Sequence, residues 1–134
     1  MYRLSAIEGI GPAYQEKLKK AGIGSADALL KQGATAKDRE ELEKATGISS
    51  KLILEWVNHA DLFRIKGIGP EFADLLEEAG VDTVAELAQR KAENLHKSML
   101  EINAAKNLVN RTPSLENVKD WIEQAKKLPR VVQY

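Results

Sequence analysis

One six-residue phrase occurs twice in this chain of 134 residues, and it limits the folds that the sequence can adopt. We call Ile7–Pro12 (Ile-Glu-Gly-Ile-Gly-Pro) the first glycine turn and Ile65–Pro70 (Ile-Lys-Gly-Ile-Gly-Pro) the second glycine turn. Glycine adopts positive φ without steric strain, and proline suits the first turn of a helix, where its missing N–H would have no acceptor. Each phrase therefore predicts a tight turn that begins a helix, with Ile10 and Ile68 pointing into the core.

The similarity between the two halves continues well beyond the turns. Residues 7–29 match residues 65–87 at a constant offset of 58, with no gap, and the shared positions are apolar residues, glycines and the predicted helix caps Ser25 and Thr83. Trp56 and Trp121 also correspond, but at an offset of 65, which indicates that seven residues are inserted between these landmarks. An internal repeat of this length decides the architecture and has to be found before a fold is named.

Apolar residues recur at helical spacing along the whole chain, so the predicted fold class is all-α. The predicted helices are 12–21, 26–31, 37–46, 50–63, 71–79, 84–90, 92–109 and 114–128. The two tryptophans lie on apolar stripes and are expected in the core, whereas helix 37–46 is highly charged and leaves only Leu42 and Ala45 to bury. Residues 130–134 are expected to form a frayed tail. Two tandem repeats, residues 1–64 and 65–134, are expected to pack together, as two domains or as one compact domain.

Around the first glycine turn the sequence resembles the helix-hairpin-helix family. The segment that carries the resemblance is IEGIGPAYQEKLKKAGI, residues 7–23. The two-copy arrangement also resembles a bacterial domain family of unknown function built from such hairpins. Thr46-Gly47-Ile48-Ser49 is similar to a degenerate second hairpin turn, whereas Arg111-Thr112-Pro113-Ser114, at the corresponding place in the second half, has no glycine.

In related helix-hairpin-helix proteins the turn presents backbone N–H groups to a DNA phosphate, where the helix dipole adds partial positive charge. Carried over position by position, the resemblance implies that nucleic acid contacts Gly9, Ile10, Gly11, Ala13, Lys17, Lys20, Lys66, Gly67, Ile68 and Gly69. Contacts to phosphate position a protein without reading sequence, so the implied DNA binding is weak and sequence-independent. The helix after the second glycine turn carries acids that would repel a phosphate, namely Glu71, Asp74, Glu77 and Glu78. The first glycine turn is therefore expected to be the better anion site.

The charge balance opposes this function and keeps a second one open. The chain has 20 basic and 20 acidic residues, whereas proteins that bind nucleic acid are usually basic. The alternative is a protein-interaction or scaffold domain that has kept the fold and lost the DNA. The oligomeric state stays open in both cases.

Other classes of function find little support in the composition. The chain has no cysteine, which excludes disulfides and thiolate metal sites, and its first residues lack the apolar run of a signal peptide. No stretch approaches the ~18 apolar residues of a membrane span. His59 and His96 are single histidines on polar or mixed helix faces, which we expect at the surface. We therefore expect a cytoplasmic protein with no catalytic activity, cofactor, metal or membrane association.

Overall fold

The computed structural model describes residues 2–134, and every regular element in that range is a helix. A short 3₁₀ helix, Leu4–Ala6, comes first. The α-helices are α1 (Pro12–Lys20), α2 (Ala26–Gln32), α3 (Ala36–Thr46), α4 (Ser50–Leu62), α5 (Pro70–Glu78), α6 (Val84–Leu87), α7 (Ala92–Lys106) and α8 (Leu115–Lys127). The predicted all-α fold class is confirmed. Within residues 2–134 no helix combines the length and the apolar character that crossing a membrane requires.

The helices form two compact units. The first unit runs to Asp61 and includes Val131–Tyr134, and the second unit is Leu62–Arg130. Residues 62–64 therefore lie in the second unit and residues 131–134 in the first, on the other side of the division drawn from the sequence.

Each unit has its own apolar core. The fully buried side chains of the first unit include Ile7, Leu18, Ile23, Leu29, Ile53 and Trp56. Those of the second unit include Ile65, Ile68, Leu75, Leu76 and Leu87. Trp56 and Trp121 are each 2% exposed, which confirms the prediction that both tryptophans lie in the core.

Hydroxyl caps set the start of several helices. Ser25 and Thr83, the predicted caps, accept backbone hydrogen bonds at the start of α2 and α6. The predicted start of α8 was wrong by one residue, because Ser114 caps the helix and Pro113 lies outside it. Ser114 Oγ accepts from the Asn117 amide at 3.1 Å, and Asn117 Oδ1 accepts from the Ser114 amide at 3.1 Å. This reciprocal pair satisfies two amides at once and fixes the boundary.

Helix α7 ends three residues earlier than its apolar pattern predicts. Asn107 follows Lys106 in the left-handed conformation, with φ +51°, which stops the helix. The Asn103 side chain then accepts from the Val109 amide at 2.9 Å and donates to the Val109 carbonyl at 3.1 Å. Leu108 consequently lies outside the helix and is exposed.

The charged helix α3 and the last residues of the chain are the main corrections to the sequence-based fold. Arg39 is only 4% exposed, and its guanidinium donates to the carbonyls of Gly33 (2.8 Å), Ala34 (3.0 Å) and Gln133 (2.6 Å). The Gln133 amide donates to the Ala34 carbonyl at 2.7 Å, and Val132 is 2% exposed. The C-terminal tail, Val131–Tyr134, is therefore bound to the first unit and does not fray.

Two further residues differ from their predicted exposure. Ala45, expected in the core, is exposed, because Arg39 and Leu42 provide the buried side of α3. His59, expected at the surface, is buried in α4. His96 is half-buried, and its Nε2 lies 2.9 Å from the Pro113 carbonyl.

The burial of Arg39 perturbs its ionisation without removing its charge. Desolvation lowers the pKa of the guanidinium, while electrostatic interactions with Tyr134 and Asp38 raise it. Arginine stays protonated in proteins, so the three carbonyls bind a cation. When a buried cation is removed, the carbonyl oxygens that accepted its hydrogen bonds are left unsatisfied, and this lowers the free energy of unfolding.

Replacing Arg39 by alanine should lower the free energy of unfolding by about 2–3 kcal/mol, because three carbonyl oxygens lose a charged donor. Urea unfolding followed by circular dichroism measures this change. Lys37→Ala, at an exposed position of the same helix, is the matched control and should shift stability by less than about 0.5 kcal/mol. Equal stability of the two variants would show that Arg39 does not hold the tail.

Candidate functional site

The two glycine turns have the same backbone geometry. In the first glycine turn the Ile10 amide donates to the Ile7 carbonyl at 3.2 Å, and Gly9 has φ +92°. In the second, the Ile68 amide makes the same 3.2 Å bond, and Gly67 has φ +99°. Ile10 and Ile68 are buried, so their side chains point into the core as predicted. Their amides are used inside the turns and are not available to a ligand.

A tryptophan indole lies directly against the glycine of each turn. A Cβ atom at Gly67 would lie 2.8 Å from Trp121 Nε1, and one at Gly9 would lie 3.4 Å from Trp56 Nε1. Contacts under 3.0 Å require something to move, so position 67 has no room for a side chain. Glycine is therefore required at Gly67 for two reasons, its positive φ and the close indole.

The helix that follows each turn adds a second aromatic ring to this arrangement. Tyr14 of α1 packs edge-on against Trp56, with ring centroids 5.1 Å apart and an interplanar angle of 63°. Phe72 of α5 packs against Trp121 at 5.3 Å and 51°. Both pairs lie within the distance range of favourable aromatic contacts, which fixes the start of each helix relative to its tryptophan.

Exposed amides remain without an acceptor at the first glycine turn. Gly11 caps α1 with extended backbone and no side chain, and Pro12 takes the first helical position. Within residues 2–134 the amides of Gly9, Gly11 and Ala13 donate to no protein acceptor. The first amide of α1 that is bonded to the turn is that of Gln15, which donates to the Gly11 carbonyl at 3.0 Å. Unpaired amides at the start of a helix favour an anion.

The second glycine turn is partly closed by a side chain from α8. The Lys66 amide donates to Gln124 Oε1 at 2.9 Å, and Gln124 Nε2 donates back to the Lys66 carbonyl at 3.0 Å. Within residues 2–134 the amides of Gly67, Gly69 and Glu71 still lack an acceptor. Sequence reasoning missed Gln124, although its position one helical turn after Trp121 places it on the side of α8 that faces the turn.

A shallow depression of about 400 Å³ also marks the second glycine turn. It is lined by Gly67, Gly69, Pro70, Glu71 and Phe72. Glu71 lies in the first turn of α5, and the other acids of this helix follow behind it. Lys106 Nζ pairs with Glu78 at 2.6 Å. The lining of this depression therefore contains one carboxylate, that of Glu71.

The lysines of α1 lie at the opposite end of the helix from the amides. Lys17 and Lys20 are in the last turn, where they also offset the negative end of the helix dipole. Given 1.5 Å rise per residue, they stand about 6 Å and about 10 Å beyond Ala13 along the axis. Lys17 Nζ lies 5.9 Å from the centre of the Tyr14 ring, and Lys20 Nζ lies 3.8 Å from Glu16 Oε1. The fold thus brings Lys17 nearer to the amides and leaves Lys20 distant.

These features define an all-α protein in which two glycine turns, each placed on a tryptophan, begin nine-residue helices. The chain belongs to the family described as a domain of unknown function (DUF4332), which matches residues 8–128. Comparisons with curated proteins and with solved structures gave no match.

Replacing Gly67 by alanine should destabilise the protein by about 2–4 kcal/mol, because positive φ and the contact with Trp121 both oppose a Cβ. Gly9→Ala has more room and should cost about 1–2 kcal/mol from φ alone. Gly11→Ala is the control: a Cβ there has no neighbour within 4 Å, so its cost should stay below about 1 kcal/mol. Thermal unfolding of the three variants gives the order, and equal values for Gly67 and Gly11 would contradict it.

Proposed function

We propose that this protein is a non-catalytic module that binds the phosphate backbone of DNA, independently of sequence, through the first glycine turn. The observation that carries the proposal is the set of unpaired amides of Gly9, Gly11 and Ala13. Gly9 and Ala13 are exposed, and Gly11 has no side chain to obstruct a phosphate. The positive end of the α1 dipole adds to the attraction.

The chemistry of the two glycine turns differs enough to assign the phosphate to the first. At the second turn, Gln124 already occupies the Lys66 amide, and Glu71 places a carboxylate beside the remaining donors. At the first turn the position equivalent to Glu71 is Ala13, which carries no charge. An acid next to the amides competes with phosphate for them and repels it. Lys17 and Lys20 would supply long-range attraction more than direct contact.

We also propose that the two units arose by duplication and that the protein is cytoplasmic. The matching turns, helix caps and tryptophans of the two units support a duplicated helix-hairpin-helix unit. The lack of cysteine supports a reducing compartment, so we propose a cytoplasmic location.

One observation favours the alternative, a protein-interaction domain. The depression at the second glycine turn is lined by Pro70 and Phe72 as well as by Glu71, and apolar linings of this kind suit a protein partner better than a phosphate. A chain with net charge zero also avoids the non-specific attraction that basic proteins have for nucleic acid. A protein partner recovered after nuclease treatment would support this function.

The residue pair Ala13 and Glu71 gives a direct test of DNA binding. Ala13→Glu gives the first glycine turn the acidic residue that the second has at Glu71. We expect it to weaken binding of a fluorescein-labelled DNA duplex by roughly tenfold. A carboxylate in the first turn of a helix stabilises it by about 0.3–1 kcal/mol, so the variant should fold at least as well as the wild type. Fluorescence polarisation at low salt measures the affinity.

Glu71→Ala is the reciprocal control. It removes the carboxylate beside the unpaired amides of Gly67, Gly69 and residue 71, so this variant should bind DNA at least as tightly as the wild type. Unchanged DNA binding by Ala13→Glu would rule out the first glycine turn as the phosphate site. Absence of DNA binding by the wild-type protein would leave protein interaction as the supported function.

The salt dependence of DNA binding should be shallow. One or two phosphate contacts predict a slope of log K against log salt of about −1 to −2, since each neutralised phosphate contributes about −0.9. Polarisation titrations over a series of sodium chloride concentrations give this slope. A slope several times steeper would indicate a broad basic surface instead of a single turn.

A further inference from the structure

A groove with a cationic rim lies on the second unit, between the start of α7 and the side of α8. Its volume is about 430 Å³, and we call it the cationic groove. Its lining includes Arg90, Lys91, Lys119, Ile122, Glu123 and Lys126. The cationic groove does not include either glycine turn.

The groove has a local excess of positive charge in a chain whose net charge is zero. Its lining holds four cations, and the only acids among the lining residues are Glu93 and Glu123, so four minus two leaves a local charge of +2. Lys126 Nζ pairs with Glu123 at 3.4 Å, and Lys119 Nζ pairs with Glu116 at 3.8 Å. Exposed pairs of this kind contribute at most about 1 kcal/mol, so an anionic partner can compete for both lysines.

Arg90 differs from the lysines because its guanidinium is held in place. Its Nη2 donates to the Ala79 carbonyl at 3.2 Å, so the side chain is already ordered before any partner arrives. An ordered guanidinium loses less entropy on binding a carboxylate than a free lysine does. The cationic groove thus combines one cation that is held by a backbone carbonyl with three exposed lysines.

The place in the first unit that corresponds to the cationic groove is the junction between α2 and α3. There, a Cβ at Gly33, in the α2–α3 junction, would lie 2.7 Å from Val57 of α4. Val57 corresponds to Ile122 at the offset of 65 that relates the two tryptophans. The C-terminal tail lies along this junction, with the Gln133 amide on the Ala34 carbonyl and Val132 buried. The tail therefore lies at the place in the first unit that corresponds, at the repeat offset of 58, to Lys91 and Ala92 of the cationic groove.

We infer that the cationic groove binds an extended acidic peptide segment of a partner protein, in the way that the tail covers its counterpart. Alternate side chains of an extended peptide point in opposite directions, so carboxylates can reach the cationic rim while uncharged side chains lie against the floor of the groove, where Ile122 is 4% exposed. Peptides that bind in extended form gain affinity from main-chain hydrogen bonds and specificity from alternate side chains. The inference does not depend on DNA binding by the first glycine turn.

The lining favours a peptide over a nucleic acid. Glu93 and Glu123 lie among the cations, and they would repel a backbone that carries a charge at every residue. A peptide can place its carboxylates opposite the cations and its uncharged groups opposite these acids. Charge complementarity of this kind mainly sets which partner is chosen.

A fluorescein-labelled peptide that alternates glutamate and valine provides the test, with full-length protein and fluorescence polarisation. We expect saturable binding that the double variant Lys91→Glu/Lys126→Glu weakens by at least roughly tenfold, because two attractive charges become repulsive. Lys37→Glu/Lys51→Glu makes the same change of charge at exposed positions of the first unit and should bind like the wild type. A peptide that alternates lysine and valine should not bind.

A second measurement locates the peptide without any substitution. In a methyl spectrum of isoleucine-labelled wild-type protein, the glutamate–valine peptide should shift the Ile122 resonance more than those of the first unit. Peptide binding that the groove variant leaves unchanged would overturn the inference, as would an unshifted Ile122. Binding of a single-stranded oligonucleotide, but not of the peptide, at this groove would overturn it in favour of nucleic acid.

Discussion

The contact between a tryptophan indole and a glycine backbone is the constraint on which both units depend. Gly67 has no space for a Cβ because Trp121 Nε1 occupies it, and Gly9 stands almost as close to Trp56. The indole comes from the last helix of each unit, whereas the glycine precedes that unit's glycine-turn helix, so the contact joins the two ends of the unit. The second aromatic ring, Tyr14 or Phe72, then fixes the direction in which the new helix leaves the turn.

This arrangement explains why amides remain exposed at the turn. The buried isoleucine of each turn uses its own amide internally, and proline at the first helical position removes another donor. The indole packs against the glycine of each turn, and two of the residues that carry the remaining donors of the first turn, Gly9 and Ala13, are exposed. The same turn can therefore present its amides to an anion, as we propose for the first turn. Alternatively, a neighbouring side chain can accept a hydrogen bond from one of them, as Gln124 does from the Lys66 amide. Small changes on α8 or in the first turn of the helix decide between these outcomes.

The sequence predicted the features that depend on local pattern and failed where distant segments meet. The turns, the caps Ser25 and Thr83, and the buried tryptophans follow from glycine, hydroxyl and apolar spacing. The hydrogen bond from Arg39 to the Gln133 carbonyl joins residues 94 positions apart, and the spacing of apolar residues cannot predict such a pair. Gln124 and Lys66 are 58 positions apart, so the side chain that partly closes the second turn could not be predicted either. The candidate amides were predictable because the first turn of a helix always leaves donors unpaired.

The most direct measurement of the central claim is a ¹H–¹⁵N titration of the protein with a short DNA duplex. If the first glycine turn holds a phosphate, the amide resonances of Gly9, Gly11 and Ala13 should move together and downfield, while that of Lys66, already bonded to Gln124, stays in place. Shifts that appear only in the second unit, or that leave these three amides unchanged at saturation, would contradict the account.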